Sequence, residues 1–171
     1  KGPIMAAADR FEIHVHGQGG HGAQPHLTKD AILIGSQIVQ SLHHIVSRRI
    51  DPLDNAVISV GSFEAKNAFN VIANSAKLVG TVRTFKKEVQ DYIIEEMERI
   101  CNHIAKAFGA TVDFHYEKGY PPVINDREEA EFVRDVALKT DGVSEVQLIE
   151  PDMGGEDFSY YLQRVKGAFF F

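Results

Sequence analysis

Apolar and polar residues alternate strictly along residues 11–16. Phe11, Ile13 and Val15 fall on one face, and Glu12, His14 and His16 on the other. A period of two predicts a half-buried strand. A glycine-rich turn covers 17–26, and then the period changes. Ile34, Ile38, Leu42, Ile45 and Val46 recur at helical spacing behind Asp30, a favourable N-cap, and predict a helix over 31–48. Asp51-Pro52-Leu53-Asp54-Asn55 breaks it. Strands are expected at 56–64 and 76–85. In the second, Leu78 and Val82 point one way, and Lys77, Val79, Thr81 and Arg83 the other. A second helix is expected from about 87 to 108 along the stripe Val89, Ile93, Met97, Ile100, Ile104 and Phe108, with Gly109 as its C-cap. Alternation returns at 111–116, with Val112, Phe114 and Tyr116 inward.

The order strand–helix–strand–strand–helix–strand is the split βαβ, ferredoxin-like plan, an α+β fold with two helices on one face of an antiparallel sheet. This domain is expected over 11–117, with 1–10 as a crossover segment. Gly119-Tyr120-Pro121-Pro122 signals a linker, and the pattern changes after it. Helices are expected at 128–139 and 156–164, and short strands at 146–149 and 167–171. Helix–strand–helix–strand implies part of a parallel α/β sheet over 118–171. Residues 1–8 look like a loose end, and two strands cannot sustain such a sheet alone, so an excerpt of a longer protein is expected.

Composition narrows the partners. A net charge of −6 argues against nucleic acid, because backbone phosphates recruit Lys and Arg. The strands also lack an aromatic RNA-binding motif. No apolar run is long enough for a membrane span, so no membrane partner is expected. The single cysteine, Cys101, lies in an apolar helical stretch. It is expected to be a buried thiol in a reducing, cytoplasmic compartment.

Eight histidines invite a metal hypothesis. His14 and His16 share a strand face and could share an ion, but no carboxylate or thiolate stands at ligand spacing, and an exposed sheet face is the simpler reading. His43 and His44 diverge by about 100° on a helix. Gly19-Gly20-His21-Gly22-Ala23-Gln24-Pro25-His26 differs. Glycines around an imidazole imply backbone where a Cβ could not fit, or a tight connection whose histidines are merely solvated. Asn67, Asn70 and Asn74 lie between two strands, where an amide can build a turn or bind a carboxylate. Arg83, on the strand face away from Leu78, can clamp a carboxylate in a fork or remain a solvated charge. In Asp152-Met153-Gly154-Gly155-Glu156-Asp157-Phe158-Ser159, the glycines expose backbone N–H groups while the acids suit a helix N-terminus.

Together these segments resemble the aminoacylase/metallo-carboxypeptidase family, closest to its N-acyl-amino-acid amidohydrolase, hippurate hydrolase and auxin-conjugate hydrolase branch. The resemblance rests on 19–26 with Asp30-Ala31, Phe69-Asn70-Val71-Ile72, Gly80-Thr81-Val82-Arg83-Thr84-Phe85 and Met153-Gly154-Gly155-Glu156-Asp157-Phe158, in that order. It implies a lid, or dimerisation, domain plus part of a catalytic domain, a homodimer formed through the lid, and two divalent metal ions, zinc or manganese, in the complete enzyme. His21 resembles a lid histidine that stabilises an oxyanion in a neighbouring active site. Asn70 and Arg83 resemble residues that hold the substrate carboxylate, and Gly154, Gly155 and Glu156 would border the pocket. The implied substrate is an N-acyl amino acid or related peptide. The family's metal ligands and general-base glutamate come from a Cys-Gly-His-Asp motif, a Glu-Glu pair and two further histidines, none of which match segments of this sequence. No metal and no activity are therefore expected of these 171 residues alone. A stand-alone ferredoxin-like dimerisation or small-molecule-binding module is the alternative.

Overall fold

The computed structural model of the chain describes residues 2–171. Its centre is a four-stranded antiparallel sheet built from β2 (Ala7–His16), β4 (Ala56–Glu64), β6 (Ser75–Thr84) and β7 (Thr111–Tyr120). β1 (Gly2–Met5), β3 (Gly20–His21), β5 (Val71–Ile72) and β8 (Val123–Asn125) are short strands outside it. The sheet order is β4-β6-β2-β7, the ferredoxin-like arrangement in which the first and third strands of the motif lie at the centre. The expected fold class is therefore present.

The two long helices, α1 (Ala31–Arg48) and α2 (Lys87–Ala107), cover one face. α1 begins where the Asp30 carboxylate accepts the N–H groups of Ile32 and Leu33. Such a cap typically contributes about 1 kcal/mol. α2 is followed by Gly109 at φ +68°, a left-handed position that suits glycine after a helix end. Phe11, Ile13 and Val15 of β2 join Leu78 and Val82 of β6, Ile34, Ile38 and Leu42 of α1, and Ile93, Met97 and Cys101 of α2 in one core. The alternation seen in the sequence is the alternation between this core and the opposite, open sheet face.

The open face is polar. Glu12 accepts from Lys77 at 2.8 Å and contacts His14 at 3.2 Å and Arg10. His16 meets Asp113 at 2.8 Å, and the His14 and His115 rings stand edge to face at 6.0 Å.

The remaining segment departs from expectation in four ways. Residues 2–5 are not loose, because β1 pairs antiparallel with β8. Residues 146–149 form no strand, and Leu148 is exposed. Residues 167–171 form no strand either. They are held by Asn125, whose side chain bonds both the N–H and the C=O of Phe169 at 2.8 Å. The expected helix at 156–164 contracts to α4 (Ser159–Leu162). The two missing strands share a cause: a strand needs a ladder partner, and among the described residues the 146–149 and 167–171 runs have none. No parallel sheet forms, and the sole parallel pairing among the described residues is the bridge Met5–Asp152. The helix expected at 128–139 is present as α3 (Arg127–Ala137), capped by the Asp126 carboxylate.

Candidate functional site

The glycine-rich loop leaves the end of β2 and is strapped to residues 70–74 by backbone. Gly17 N–H donates to Asn74 C=O at 2.8 Å, and Gly22 N–H to Asn70 C=O at 2.8 Å. Between these, β3 pairs with β5 so that His21 lies opposite Val71. A Cβ on Gly22 would stand 2.9 Å from the Asn70 carbonyl oxygen, and one on Gly19 2.7 Å from that of Ile72. The glycines thus permit close approach of two backbones, which presents His21 beside Asn70.

Both side chains are exposed. Ala23 N–H donates to His21 Nδ1 at 3.1 Å. An accepting Nδ1 places the proton of the neutral ring on Nε2, which is then a hydrogen-bond donor. Asn67 shapes the neighbouring turn: its Oδ1 accepts Ala68 N–H at 3.0 Å and its Nδ2 donates to Ile72 C=O at 3.4 Å. Asn67 is a turn-maker here, whereas the Asn70 side chain is directed to solvent next to a wholly exposed Phe69.

Arg83 lies elsewhere. It stands opposite Ala8 on one side and Val57 on the other, on the open face. The 152–155 turn crosses this corner, with Ala6 N–H donating to Asp152 C=O at 3.1 Å and Gly154 C=O at 2.9 Å. Gly155 packs so closely that a Cβ there would be 2.4 Å from Ala8 Cβ, 3.0 Å from Arg83 Nη1 and 3.6 Å from Tyr120 Cδ2. Arg83 has no carboxylate within ion-pair distance among the described residues. Glu156 is half-buried and accepts the Phe158 N–H at 3.3 Å.

The six predicted residues therefore form two groups. His21 and Asn70 adjoin the Ser75 end of β6, while Arg83, Gly154, Gly155 and Glu156 gather at its Thr84 end. β2 and β6 pair from Ala7–Thr84 to His16–Ser75. Eight residues separate Ser75 from Arg83, roughly 27 Å at about 3.4 Å per residue. The sequence reading missed Tyr120 and Tyr160, whose rings meet edge to face at 6.0 Å beside Gly155. The exposed Pro-rich junction around Tyr120 carried no pattern that would have marked them.

Among the described residues, no group of three or more His, Cys, Asp or Glu side chains is placed to hold a metal ion. The residues present do not fit a dinuclear centre. No helix among them is long and apolar enough to cross a membrane.

Residues 7–108 match the peptidase dimerisation domain. The YhaA protein of Bacillus subtilis (strain 168) is 56% identical over 170 residues, 99% of this chain and 43% of its own length. The N-acyl-L-amino acid amidohydrolase of Geobacillus stearothermophilus is 51% identical over 124 residues, 72% of this chain and 34% of its own length. The crystal structure of the Bacillus subtilis YXEP protein, described as a dinuclear metal-binding peptidase of the M20 family, superposes with a TM-score of 0.74 at 32% identity, covering 98% of this chain and 40% of that one. The chain spans less than half the length of these relatives.

Proposed function

Because the chain belongs to the peptidase dimerisation-domain family of M20 amidohydrolases and peptidases, we propose that the protein carrying it hydrolyses the amide bond of N-acyl amino acids or related peptides. On this reading the chain supplies the lid and the chemistry of substrate holding. Two divalent ions, zinc or manganese, would be held by residues outside this chain and would supply the activation of the attacking water. A lone lid of this kind is inactive.

The observation that carries the reading is the rigid presentation of His21. Its Nδ1 is occupied by Ala23 N–H, which leaves Nε2–H as the donor of an exposed ring on the loop strapped to Asn70. Attack on an amide carbonyl builds negative charge on the carbonyl oxygen, and a fixed N–H donor aimed at that oxygen stabilises it most in the transition state. Arg83 accepts the substrate carboxylate in its fork, with Gly154, Gly155 and Glu156 bordering the pocket and Asn70 holding the same group from the other side.

Ser75 and Arg83 stand about 27 Å apart along β6, far more than the length of one N-acyl amino acid, and His21 and Asn70 adjoin the Ser75 end. The two groups therefore serve different active sites. In a homodimer formed through the lid, Arg83 works in its own subunit, while His21 and Asn70 reach the partner's site. Each active site is complete only when two lids are present.

The test is His21→Ala in the full-length enzyme. kcat is expected to fall by about 10²–10³, the usual loss for one oxyanion donor, with KM changed only severalfold. An unchanged kcat sinks this role. Mixing His21→Ala with an Arg83→Ala variant, each impaired alone, should restore one functional site per mixed dimer. No recovery in the mixture would rule out the shared arrangement.

A further inference from the structure

Asp9 is the one acidic side chain of β2 that points into the core, and it is only 3% exposed. Its neighbours Phe11, Ile13 and Val15 on that face are apolar. A buried carboxylate needs donors, and Asp9 has three, from two elements beyond its own strand. Oδ2 accepts Gln90 Nε2–H of α2 at 2.6 Å and the Tyr116 hydroxyl of β7 at 2.7 Å. Oδ1 accepts the Gly119 N–H at 3.0 Å. Its main-chain oxygen accepts the Thr81 hydroxyl at 2.7 Å, on the strand that carries Arg83 two residues later.

The Gly119 bond is the informative one. The β2–β7 register shifts between Ala8–Tyr120 and Arg10–Glu117, so β7 bulges where it passes Asp9. At the bulge the Gly119 backbone presses on Ala8, and a Cβ there would lie 2.1 Å from the Ala8 carbonyl oxygen. The peptides of Gly119 are gripped from both sides, the N–H by Asp9 and the C=O by the Tyr160 hydroxyl at 3.3 Å. The next residue, Tyr120, packs on Tyr160 and flanks Gly155, which touches Arg83 and Ala8. A bulge re-aims the residues around it, and the Asp9 carboxylate holds this one from the core side.

We propose that Asp9 is a positioning residue that seats Arg83 against Gly155 by fixing the β7 bulge at Gly119 and thereby Tyr120. It touches no substrate. It locks the corner where the lid sheet meets the 152–160 segment, so that the Arg83 fork meets a substrate carboxylate in one geometry. The proposal rests on the reading of Arg83 as the carboxylate clamp.

The experiment uses the full-length, metal-loaded enzyme with two substrates, an N-acyl amino acid and the same compound with its carboxylate converted to a carboxamide. Asp9→Ala is expected to raise KM for the carboxylate about tenfold, to change kcat by less than about threefold, and to leave KM for the carboxamide unchanged. Asp9→Asn keeps an acceptor for Gly119 N–H and should restore most of the loss. Combining Asp9→Ala with Arg83→Ala should add nothing to the KM of Arg83→Ala alone. Equal losses on both substrates, or reduced kcat at unchanged KM, would overturn the proposal and leave Asp9 a purely structural group. If Asp9→Ala does not fold, Asp9→Asn must show the same substrate split at smaller size, and its absence counts equally against the proposal. The parent reading fails separately: Arg83→Ala that does not discriminate carboxylate from carboxamide removes Arg83 as the clamp, whatever Asp9 does. A split for Arg83→Ala with none for either Asp9 variant removes Asp9 alone.

Discussion

Gly22→Ala separates the stability of the lid from its use. Gly22 does not adopt a positive φ, so alanine brings no backbone strain. It brings contact. The new Cβ would stand 2.9 Å from the Asn70 carbonyl oxygen and 3.3 Å from its carbonyl carbon, where ordinary contact begins at 3.4 Å. The Asn70 backbone must withdraw by about half an ångström, 3.4 minus 2.9 Å, and the 2.8 Å bond from Gly22 N–H to Asn70 C=O lengthens with it. Loss of one backbone hydrogen bond costs about 1 kcal/mol. Restricting the unfolded chain by replacing glycine returns ~0.4–1 kcal/mol. The net change in stability is therefore under about 1 kcal/mol. The functional change is larger, because catalytic geometry tolerates displacements of only about 0.5 Å, and misplacement by 1 Å costs on the order of 10²-fold. A fall of about tenfold in kcat/KM is expected for the full-length enzyme. Steady-state kinetics and a thermal unfolding curve on the same preparation provide the check. Unchanged kcat/KM refutes the claim that the 19–26 loop and Asn70 act as one unit. A large drop in melting temperature refutes the claim that the strap is local.

Two further outcomes follow from the titratable groups. Hydrogen bonds from Lys77, His14 and Arg10 hold the Glu12 carboxyl down to about 2, so its contribution to stability is complete above the ordinary glutamate range near 4.5 and is lost as pH falls towards 2. Urea midpoints of wild type and Glu12→Gln should differ at pH 6 and converge by about pH 2, and a gap that does not close on acidification contradicts the assignment. Burial pushes the Cys101 thiol up to about 12, so a thiol reagent at pH 8 should label the native chain very slowly and one equivalent promptly after denaturation, whereas fast native labelling would show that the core around Met97 and Cys101 opens.

The lid was legible in the sequence because each of its elements solves its hydrophobic burial by periodicity. β2, β4 and β6 alternate against two helices whose stripes they meet, and Asp30 and Gly109 mark helix ends through local chemistry. The 146–149 and 167–171 runs were not legible for the same reason. Apolar residues such as Val146, Leu148 and Ile149, or Phe169 to Phe171, describe what a segment could bury, not whether a neighbouring strand exists to receive it, and none is present among the described residues. Asp9 was hidden because it fell in the expected crossover segment, ahead of the alternation read at 11–16, although β2 starts at Ala7, and because its three donors lie 81, 107 and 110 residues away.

The candidate site was legible residue by residue but not as an arrangement. The glycines around His21 predicted close approach, and the partner proved to be the Asn70–Asn74 backbone. Nothing in the order of motifs said that Arg83, only 13 positions beyond Asn70, would face the opposite end of the sheet. That separation follows from the extended chain: a ten-residue strand such as β6 carries its two ends about 30 Å apart. A stiff antiparallel strand, hydrogen-bonded on both sides by β2 and β4, fixes this span. On the proposed reading, β6 is then the spacer that sets how far one active site stands from the neighbour it assists. Insertions that lengthen β6 would misplace both groups at once, while changes on its open face between them, at Val79 or Thr81, leave the span intact.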